Sequence, residues 1–307
     1  MPRSALLALV LASFLIACTS RSSDAEIDLS ELQPMPIDRP TGIIPLRIAI
    51  ANVISPTATL ESYTPLLEYM SQKLQRPVDL VQGRNYAEIN DLVRRGEVDL
   101  AFVCSSAYVA GHDSFDMQLL VAPRVHGETV YYSELIVPSE SPVTSMDQLR
   151  GAVFAFTDPM SNSGRLYPTF LVQELGETPS GFFDRTFFTY SHDEAIRAVA
   201  EGLADAAAVD SLVLDYTIAR SPEIGERVRV IHRSPPFGIP PIVVSPGIRP
   251  QLRAELLKIF LEMDESPQGR LALAELDIDE FTLIDASAYD SVHELASQVQ
   301  AFPREQP

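Results

Sequence analysis

Three small polar residues in succession, Ser161, Asn162 and Ser163, stand between a hydrophobic run and a glycine. The run reads GAVFAFTDP, which is typical of a buried strand that ends in an Asp-Pro turn, and the segment after the glycine has helical spacing. The first amides of a helix lack partners within it and carry partial positive charge, so with hydroxyls beside them they can hold an oxyanion without lysine or arginine. N-capping by Ser161 or Ser163 would explain the same residues with no ligand, and both interpretations stay open.

Further polar side chains stand where strands end and helices begin. His192, in TYSHDEAIRAVAEG, lies at a helix start, where a neutral imidazole can donate one hydrogen bond to a ligand or simply belong to the surface or the cap. Ser191 or Asp193 could cap that helix. Asp210 follows a strand and could cap the next helix or accept a hydrogen bond from a protonated oxyanion. Of Tyr131 and Tyr132, in the strand-like VYYSELIVP, one should face a ligand because strand neighbours alternate. Cys104 is interpreted as a small buried residue rather than a reactive thiol.

Strand-like and helical segments alternate along the sequence, and they position these residues. This alternation predicts an α/β fold with parallel strands. Two segments resemble internal copies. EINDLVRRGEVDLAFV from Glu88 and EAIRAVAEGLADAAAV from Glu194 align without gaps at an offset of 106 residues, which also places RIAIANVIS over VFAFTDPMS. The offset makes Tyr86 equivalent to His192, so Tyr86 joins the candidate ligand contacts.

The repeat predicts two lobes of similar plan that face each other across a cleft. Open α/β sheets bind ligands at the carboxyl ends of strands and at helix starts, where the candidate residues lie. Lobe one is predicted to span 45–135 plus 239–300, and lobe two 136–238. The segment 130–138 would leave lobe one and the segment 238–246 would return to it, so that the two together form a hinge.

The N-terminus indicates export and attachment to a membrane. Residues 1–17 carry one arginine and an apolar run too short to span a bilayer, and they end before Cys18 in L-I-A-C, the form of a bacterial lipobox. Cleavage there would leave a lipidated Cys18, whereas an ordinary signal peptide with an incidental Cys18 is the alternative. Residues 18–44 have the composition of a flexible tether, and 301–307 form a tail. The predicted location is periplasmic or otherwise extracytoplasmic, as a membrane-anchored lipoprotein.

Composition and motifs argue against several classes of protein. The 307 residues, 46% of them hydrophobic, suffice for one large or two medium domains, and a net charge of −19 disfavours nucleic-acid binding. With Cys18 lipidated, Cys104 would have no disulfide partner. P-loop, G-x-S-x-G, H-E-x-x-H and G-x-G-x-x-G motifs do not occur, so the sequence predicts no cofactor, no metal site and no enzyme. Ser161, His192 and Asp210 could be drawn as a hydrolase triad by residue type alone.

Four motifs in order, DPMSNSGRLYP, TYSHDEAIRAV, AVDSLVLDY and VRVIHRSPP…PPIVV, resemble the phosphonate-, phosphite- and phosphate-binding proteins of ABC transporters over about residues 46–295. The resemblance implies a type II periplasmic-binding-protein fold: two lobes, each a mixed sheet flanked by helices, with a two-strand hinge. It implies that Ser161, Asn162 and Ser163 hold a phosphorus oxyanion at a helix start. It also implies further ligand contacts, which come from Tyr86, Tyr131 and His192. It implies that the protein is a monomer and that its partners are an ABC permease and the associated ATPase.

The chain departs from the family pattern in ways that bear on the ligand. Members that bind aminoalkylphosphonates place carboxylates near the positions of Ser211 and Pro240, where this chain has AVDSL and FGIPPI and only Asp210 could substitute. We therefore expect phosphite, phosphate or a simple alkylphosphonate rather than an amine-bearing ligand. Asn162 replaces the usual threonine, and Cys104 stands where glycine is common. A ligand-sensing module for a membrane histidine kinase would use the same fold and is the alternative function.

Overall fold

Strands and helices alternate over residues 43–301, the part of the chain that the computed structural model describes. The predicted signal peptide, Cys18, and nearly all of the predicted tether and tail lie outside the described residues. Among residues 43–301, no helix combines the length and the apolarity needed to cross a membrane.

The elements follow the order expected for an α/β chain. The strands are β1 (Leu46–Ile50), β2 (Val78–Gln82), β3 (Leu100–Phe102), β4 (Gln118–Arg124), β5 (Val130–Tyr131), β6 (Ser133–Pro138), β7 (Val153–Phe156), β8 (Arg185–Phe188), β9 (Ala206–Asp210), β10 (Val228–Arg233), β11 (Phe237–Gly238), β12 (Ile242–Val244) and β13 (Glu280–Thr282). The helices are α1 (Pro56–Leu74), α2 (Tyr86–Arg94), α3 (Ser105–Phe115), α4 (Tyr167–Glu174), α5 (Pro179–Phe182), α6 (His192–Ala200), α7 (Ser211–Arg220), α8 (Pro222–Arg227), α9 (Pro250–Leu261), α10 (Pro267–Glu275) and α11 (Asp290–Ala301). A π-helical turn, Asn162–Leu166, leads directly into α4.

Two mixed sheets of the same plan form the framework. Sheet one has the order β13-β4-β12-β3-β1-β2, and sheet two has the order β10-β6-β9-β7-β8. In sheet one β1 pairs in parallel with β2 and β3, and β12 runs antiparallel to β3. In sheet two β7 pairs in parallel with β8 and β9, and β6 runs antiparallel to β9. The predicted α/β fold is confirmed.

The hydrogen bonds of the two sheets confirm the internal repeat. The carboxylate of Asp99 accepts the backbone N–H of Arg47 at 2.9 Å, and the carboxylate of Asp205 accepts that of Val153 at 2.7 Å. Both residues of the second pair lie 106 positions after those of the first. The glycines that follow α2 and α6 have positive φ values of 64° and 73°, a conformation that favours glycine at a helix end. Equivalent hydrogen bonds and equivalent helix ends therefore recur in the two sheets at the offset found in the sequence.

Two short strands join the sheets. β5 pairs antiparallel with β11, which places Tyr131 opposite Phe237. The chain enters sheet two at Ser133 and returns to sheet one at Ile242. β6 and β12, the strands next to the crossing, occupy equivalent central positions in the two sheets. The lobe limits 45–135 plus 239–300 and 136–238 remain a prediction.

A buried cluster of aromatic and aliphatic residues connects the lobes around the crossing. It includes Tyr86 and Tyr131 together with Tyr167, Tyr289 and Leu295. Tyr167 belongs to α4, and Leu295 belongs to α11, which packs against both α3 and α4. The sequence places α11 in lobe one, and in the structure this helix also contacts lobe two. The candidate site thus lies against a core shared by both lobes.

Candidate functional site

The polar triplet begins a helix, as predicted, but its two serines are used differently. Ser161 is the N-cap, because its Oγ accepts the backbone N–H of Gly164 at 3.0 Å. The Oγ of Ser163 is buried and has no hydrogen-bond partner within residues 43–301, while the carbonyl of Ser163 accepts the hydroxyl of Ser133 at 2.7 Å. The capping interpretation therefore holds for Ser161, and Ser163 keeps a free hydroxyl at the positive end of the helix.

Asn162 connects the triplet to the hinge and to lobe one. Its Nδ2 donates to the hydroxyl of Tyr131 at 3.0 Å, and its backbone N–H lies 3.5 Å from the Sγ of Cys104. Tyr131 is fully buried, whereas Tyr132 is half-buried beneath the guanidinium of Arg233. Burial raises the pKa of Tyr131 well above its usual value, so the phenol keeps its proton. Of the two tyrosines, Tyr131 is the one that faces the triplet.

The hydrogen bonds of His192 determine which ring nitrogen carries the proton. Its Nδ1 lies 3.0 Å from the backbone nitrogen of Asp210 and must accept, because an amide can only donate. The proton of the neutral ring is therefore on Nε2, which lies 3.4 Å from the Oγ of Ser161. Burial lowers the pKa of His192 to about 3, so the ring is neutral at pH 7 and presents one N–H towards the triplet.

Tyr86 carries a lobe-one hydroxyl into the same region. It is the first residue of α2 and is buried, and its Oη has no hydrogen-bond partner in the described part of the chain. Burial raises the pKa of Tyr86 well above its usual value, with smaller contributions from neighbours that include Cys104 and Tyr131. Both of these neighbours contact Asn162. Tyr86 therefore stays protonated and is available as a donor beside the triplet.

Asp210 caps the helix that follows it, which was one of its two predicted roles. Its Oδ1 accepts the backbone N–H of Leu212, in the first turn of α7, at 2.8 Å. Burial raises the pKa of Asp210 to about 7, so the carboxyl is protonated in a large fraction of molecules at neutral pH.

Ser161, His192 and Asp210 do not form a hydrolase triad. In a triad the histidine Nδ1–H donates to the carboxylate and Nε2 takes the serine proton. Here Nδ1 of His192 accepts from the backbone of Asp210, and the protonated Nε2 cannot take a proton from Ser161. The arrangement suits hydrogen-bond donation to an anion rather than nucleophilic catalysis.

Two carboxylates of lobe two reach helix starts of lobe one, and sequence reasoning missed both contacts. Asp158 accepts the backbone N–H of Tyr86 at 3.0 Å through Oδ2 and that of Met160 at 2.8 Å through Oδ1. Asp193 accepts the backbone N–H of Ser55, the residue before α1, at 3.0 Å. We call Asp158 and Asp193 the interlobe carboxylates. Each joins negative charge to the positive end of a helix on the opposite lobe.

Gly164 lets the triplet approach the end of β7. A Cβ at this position would lie 1.9 Å from the Oγ1 of Thr157, which is far inside van der Waals contact. The backbone N–H of Thr157 in turn donates to the carbonyl of Gly164 at 3.3 Å. The glycine is therefore required by packing.

The hydrogen-bond donors of the site are backbone amides and neutral side chains. Arg165, the cation nearest to the triplet in sequence, stacks on Phe156 with its guanidinium carbon 4.4 Å from the ring centre and donates to Thr169. The described residues contain no group of three or more His, Cys, Asp and Glu side chains placed to hold a metal ion.

The two mixed sheets, the two-strand crossing and the enclosed donors define a two-lobed solute-binding protein of the type II periplasmic class. The sequence matches the family model described as the periplasmic substrate-binding protein of phosphonate ABC transporters over residues 48–289. The chain therefore belongs to this family, as its motifs predict. The family consists of extracytoplasmic transport proteins and is not an enzyme family.

Individual relatives agree with this assignment. The phosphonates-binding periplasmic protein of Escherichia coli (strain K12) is 26% identical over 236 residues, which cover 75% of this chain and 70% of that protein. The phosphate-import protein PhnD of Mycolicibacterium smegmatis is 32% identical over 167 residues, which cover 51% of this chain and 52% of that protein. A solved binding-protein component of an ABC phosphonate transporter from Pseudomonas aeruginosa has a TM-score of 0.79 at 23% identity, covering 84% of this chain and 87% of that one. This likeness confirms the predicted fold.

Proposed function

We propose that the protein captures a small phosphorus oxyanion, such as phosphite, phosphate or a simple alkylphosphonate, and delivers it to an ABC permease. The observation that carries the proposal is the group of neutral donors buried around Ser163. The hydroxyls of Ser163 and Tyr86 have no hydrogen-bond partner within the described residues. A buried donor without a partner costs free energy, and an anion held here would accept from both.

Each side chain of the site has a role in this proposal. The serine hydroxyls, the Asn162 amide and the phenols donate to the ligand oxygens, and His192 donates through Nε2. Asp210 accepts a hydrogen bond from a protonated ligand oxygen when its carboxylate is ionised. Because its pKa is raised to about 7, it can also be protonated and donate to an ionised ligand oxygen. The proposed ligand-binding set is Ser161, Asn162, Ser163, Tyr86, Tyr131, His192 and Asp210. Local dipoles can bind the anion although the whole chain carries a charge of −19.

Closure of the lobes would couple binding to delivery. Tyr86 belongs to the predicted lobe one, 45–135 plus 239–300, and the triplet to the predicted lobe two, 136–238. A ligand that contacts both lobes shifts the population towards the closed form, which the interlobe carboxylates also stabilise. The closed form is the one that a permease would recognise.

Attachment to the membrane through a lipid on Cys18 is part of the proposal. It is supported by the L-I-A-C sequence. Cells grown with labelled palmitate should incorporate label into the protein, and Cys18→Ala should abolish the incorporation. Label retained by the variant would overturn the lipid anchor.

Calorimetric titration tests the ligand class. The purified protein should bind phosphate, phosphite or methylphosphonate, and Ser163→Ala should weaken that binding, while Ser114→Ala, at an exposed serine of α3, should not. No binding to any of these ligands, or to 2-aminoethylphosphonate, would refute the proposal. In cells, uptake of the labelled ligand should depend on the protein; intact uptake in a deletion strain would favour the sensing role.

A further inference from the structure

Asn162 carries a buried hydrogen-bond acceptor that lacks a donor. Its side chain is 0% exposed, and its Oδ1 has no hydrogen-bond partner within residues 43–301. The hydroxyls of Ser163 and Tyr86 are also buried and unpartnered, but a hydroxyl can donate or accept, whereas an amide oxygen can only accept. The site therefore combines donors for an anion with an oxygen that requires a donor from outside.

The hydrogen bonds of Tyr131 determine which way the amide of Asn162 faces. The hydroxyl of Ser105 lies beside the phenol and gives its own proton to the carbonyl of Gly238 at 2.6 Å. The single proton of Tyr131 is then available to Ser105 or, as proposed above, to the ligand. In both cases the phenol oxygen accepts from Nδ2 of Asn162, at 3.0 Å, and Oδ1 is the end of the amide that this bond leaves free.

The free end of the amide belongs to the triplet that would hold the ligand. The backbone N–H of Asn162 lies 3.5 Å from the Sγ of Cys104, and the next residue is Ser163 with its unpartnered hydroxyl. Nδ2 has a second hydrogen, which remains available to a ligand oxygen. The amide thus offers a donor and an acceptor side by side. This pair complements an oxyanion that has both an ionised oxygen and an O–H group.

Two other asparagines have a buried, unpartnered Oδ1 but lie outside the proposed ligand-binding set. Asn52 donates through Nδ2 to the carbonyl of Gly83 at 2.8 Å, and Asn90 donates to that of Ala107 at 2.7 Å. Both bonds lie within the predicted lobe one and involve no residue of the triplet. Asn90 is therefore a matched control for Asn162.

We propose that Asn162 selects oxyanions that still carry a proton, because its Oδ1 accepts a hydrogen bond from a P–OH group of the ligand. This inference rests on the proposed function, since it needs the phosphorus group to lie at the triplet. A ligand without a proton would leave Oδ1 buried and unpartnered and would bring one of its own oxygens against it. The ligand class is therefore a phosphonate, phosphate or phosphite bound with at least one P–OH group, and sulfate and sulfonates are excluded.

Methylphosphonate and methanesulfonate test the inference, because their singly charged forms share shape and charge and differ by the proton on one oxygen. Both are titrated calorimetrically with the purified protein, at a pH below the second ionisation of methylphosphonate. Methylphosphonate should bind more tightly by about 5- to 150-fold, which is the effect of leaving a buried acceptor without a donor. Phosphate should bind more tightly than sulfate for the same reason.

A substitution at Asn162 tests the residue. Asn162→Thr replaces the amide oxygen by a hydroxyl that can donate to a sulfonate oxygen, so the ratio of the two affinities should fall by about fivefold or more. Asn90→Thr, which removes a buried asparagine with an equally unpartnered Oδ1, should leave that ratio within about twofold. If Asn162→Thr does not fold, Asn162→Ser, with a smaller side chain, takes its place.

The outcomes separate this inference from the proposed function. If methylphosphonate binds and methanesulfonate binds equally or more tightly, the inference is overturned and the proposed function stands. A preference for methylphosphonate that persists in Asn162→Thr would also overturn it, because the discrimination would then come from another acceptor, such as Asp210. If methylphosphonate, phosphate and phosphite all fail to bind, both the inference and the proposed function fail.

Discussion

Asp158→Ala is expected to weaken ligand binding although Asp158 lies outside the proposed ligand-binding set. The substitution removes two hydrogen bonds. The bond to Met160 joins residues two positions apart within lobe two, so it does not depend on closure and its loss should not change Kd. The bond to the N–H of Tyr86, at 3.0 Å, joins the lobes and depends on closure. A hydrogen bond to a charged group contributes about 1.5–3 kcal/mol, and the helix start adds about 0.3–1 kcal/mol. Asp158 is 1% exposed, so solvent screening is small.

A loss of about 1.8–4 kcal/mol predicts a rise in Kd of about 20- to 800-fold, measured by calorimetry with the tightest ligand. Burial raises the pKa of Asp158, so the titration is done at pH 8, which favours the ionised carboxylate. Asp205→Ala is the matched control, because that carboxylate accepts the N–H of Val153 at 2.7 Å inside lobe two. It should lower the free energy of unfolding and change Kd by less than about twofold. An unchanged Kd for Asp158→Ala, or equal losses for both variants, would refute the reasoning.

Three further predictions concern the triplet and its neighbours. Ser163→Ala should weaken oxyanion binding by about 1–3 kcal/mol at an unchanged melting temperature, whereas Ser161→Ala should also lower stability by about 0.5–2 kcal/mol because it removes an N-cap; calorimetry and thermal denaturation distinguish the two. Gly164→Ala should lower the free energy of unfolding by about 1–3 kcal/mol, and Thr157→Gly in the same chain should recover part of that loss in urea denaturation; no recovery would contradict the packing argument. The pKa of Asp210 is about 7 when folded and 3.8 ordinarily, so the folded state holds a proton that the unfolded state loses across this window. Stability therefore falls as pH rises from about 4 to 7, by at most about 4 kcal/mol, and Asp210→Asn should remove this part of the pH dependence; parallel curves for the two proteins between pH 4 and 8 would exclude it.

The repeat made the framework predictable from the sequence. Periodicity located the strands and helices, and the 106-residue offset paired Tyr86 with His192 at the starts of equivalent helices. Neighbouring residues determine where a helix starts and where a strand ends, so these positions could be predicted from local sequence patterns. The triplet was found in the same way, since a helix N-terminus after a buried strand has a sequence signature.

Contacts between lobes could not be predicted in this way. Asp158 was interpreted only as part of an Asp-Pro turn, and Asp193 only as a candidate cap for its own helix, yet both carboxylates bond to amides of the opposite lobe. Neither Ser191 nor Asp193 makes the conventional side-chain cap of α6. Hydrogen bonds across the cleft depend on how the two lobes pack against each other, and no local sequence pattern indicates that packing. The one usable signal was an unexplained acidic residue beside a helix start.

Asp193, the second interlobe carboxylate, affects the range of ligand concentrations over which the protein can work. In the repeat Ser55 is equivalent to Ser161, so Asp193 occupies the lobe-one counterpart of the proposed oxyanion site. Of the two helix starts that the repeat relates, at Ser55 and at Ser161, the molecule thus fills the first with a built-in anion and leaves the second to the ligand. Apparent affinity depends on the fraction of molecules already closed, and that fraction depends on the built-in anion. Substitution of Asp193 would therefore reset the threshold concentration for uptake and leave the choice among ligands unaltered.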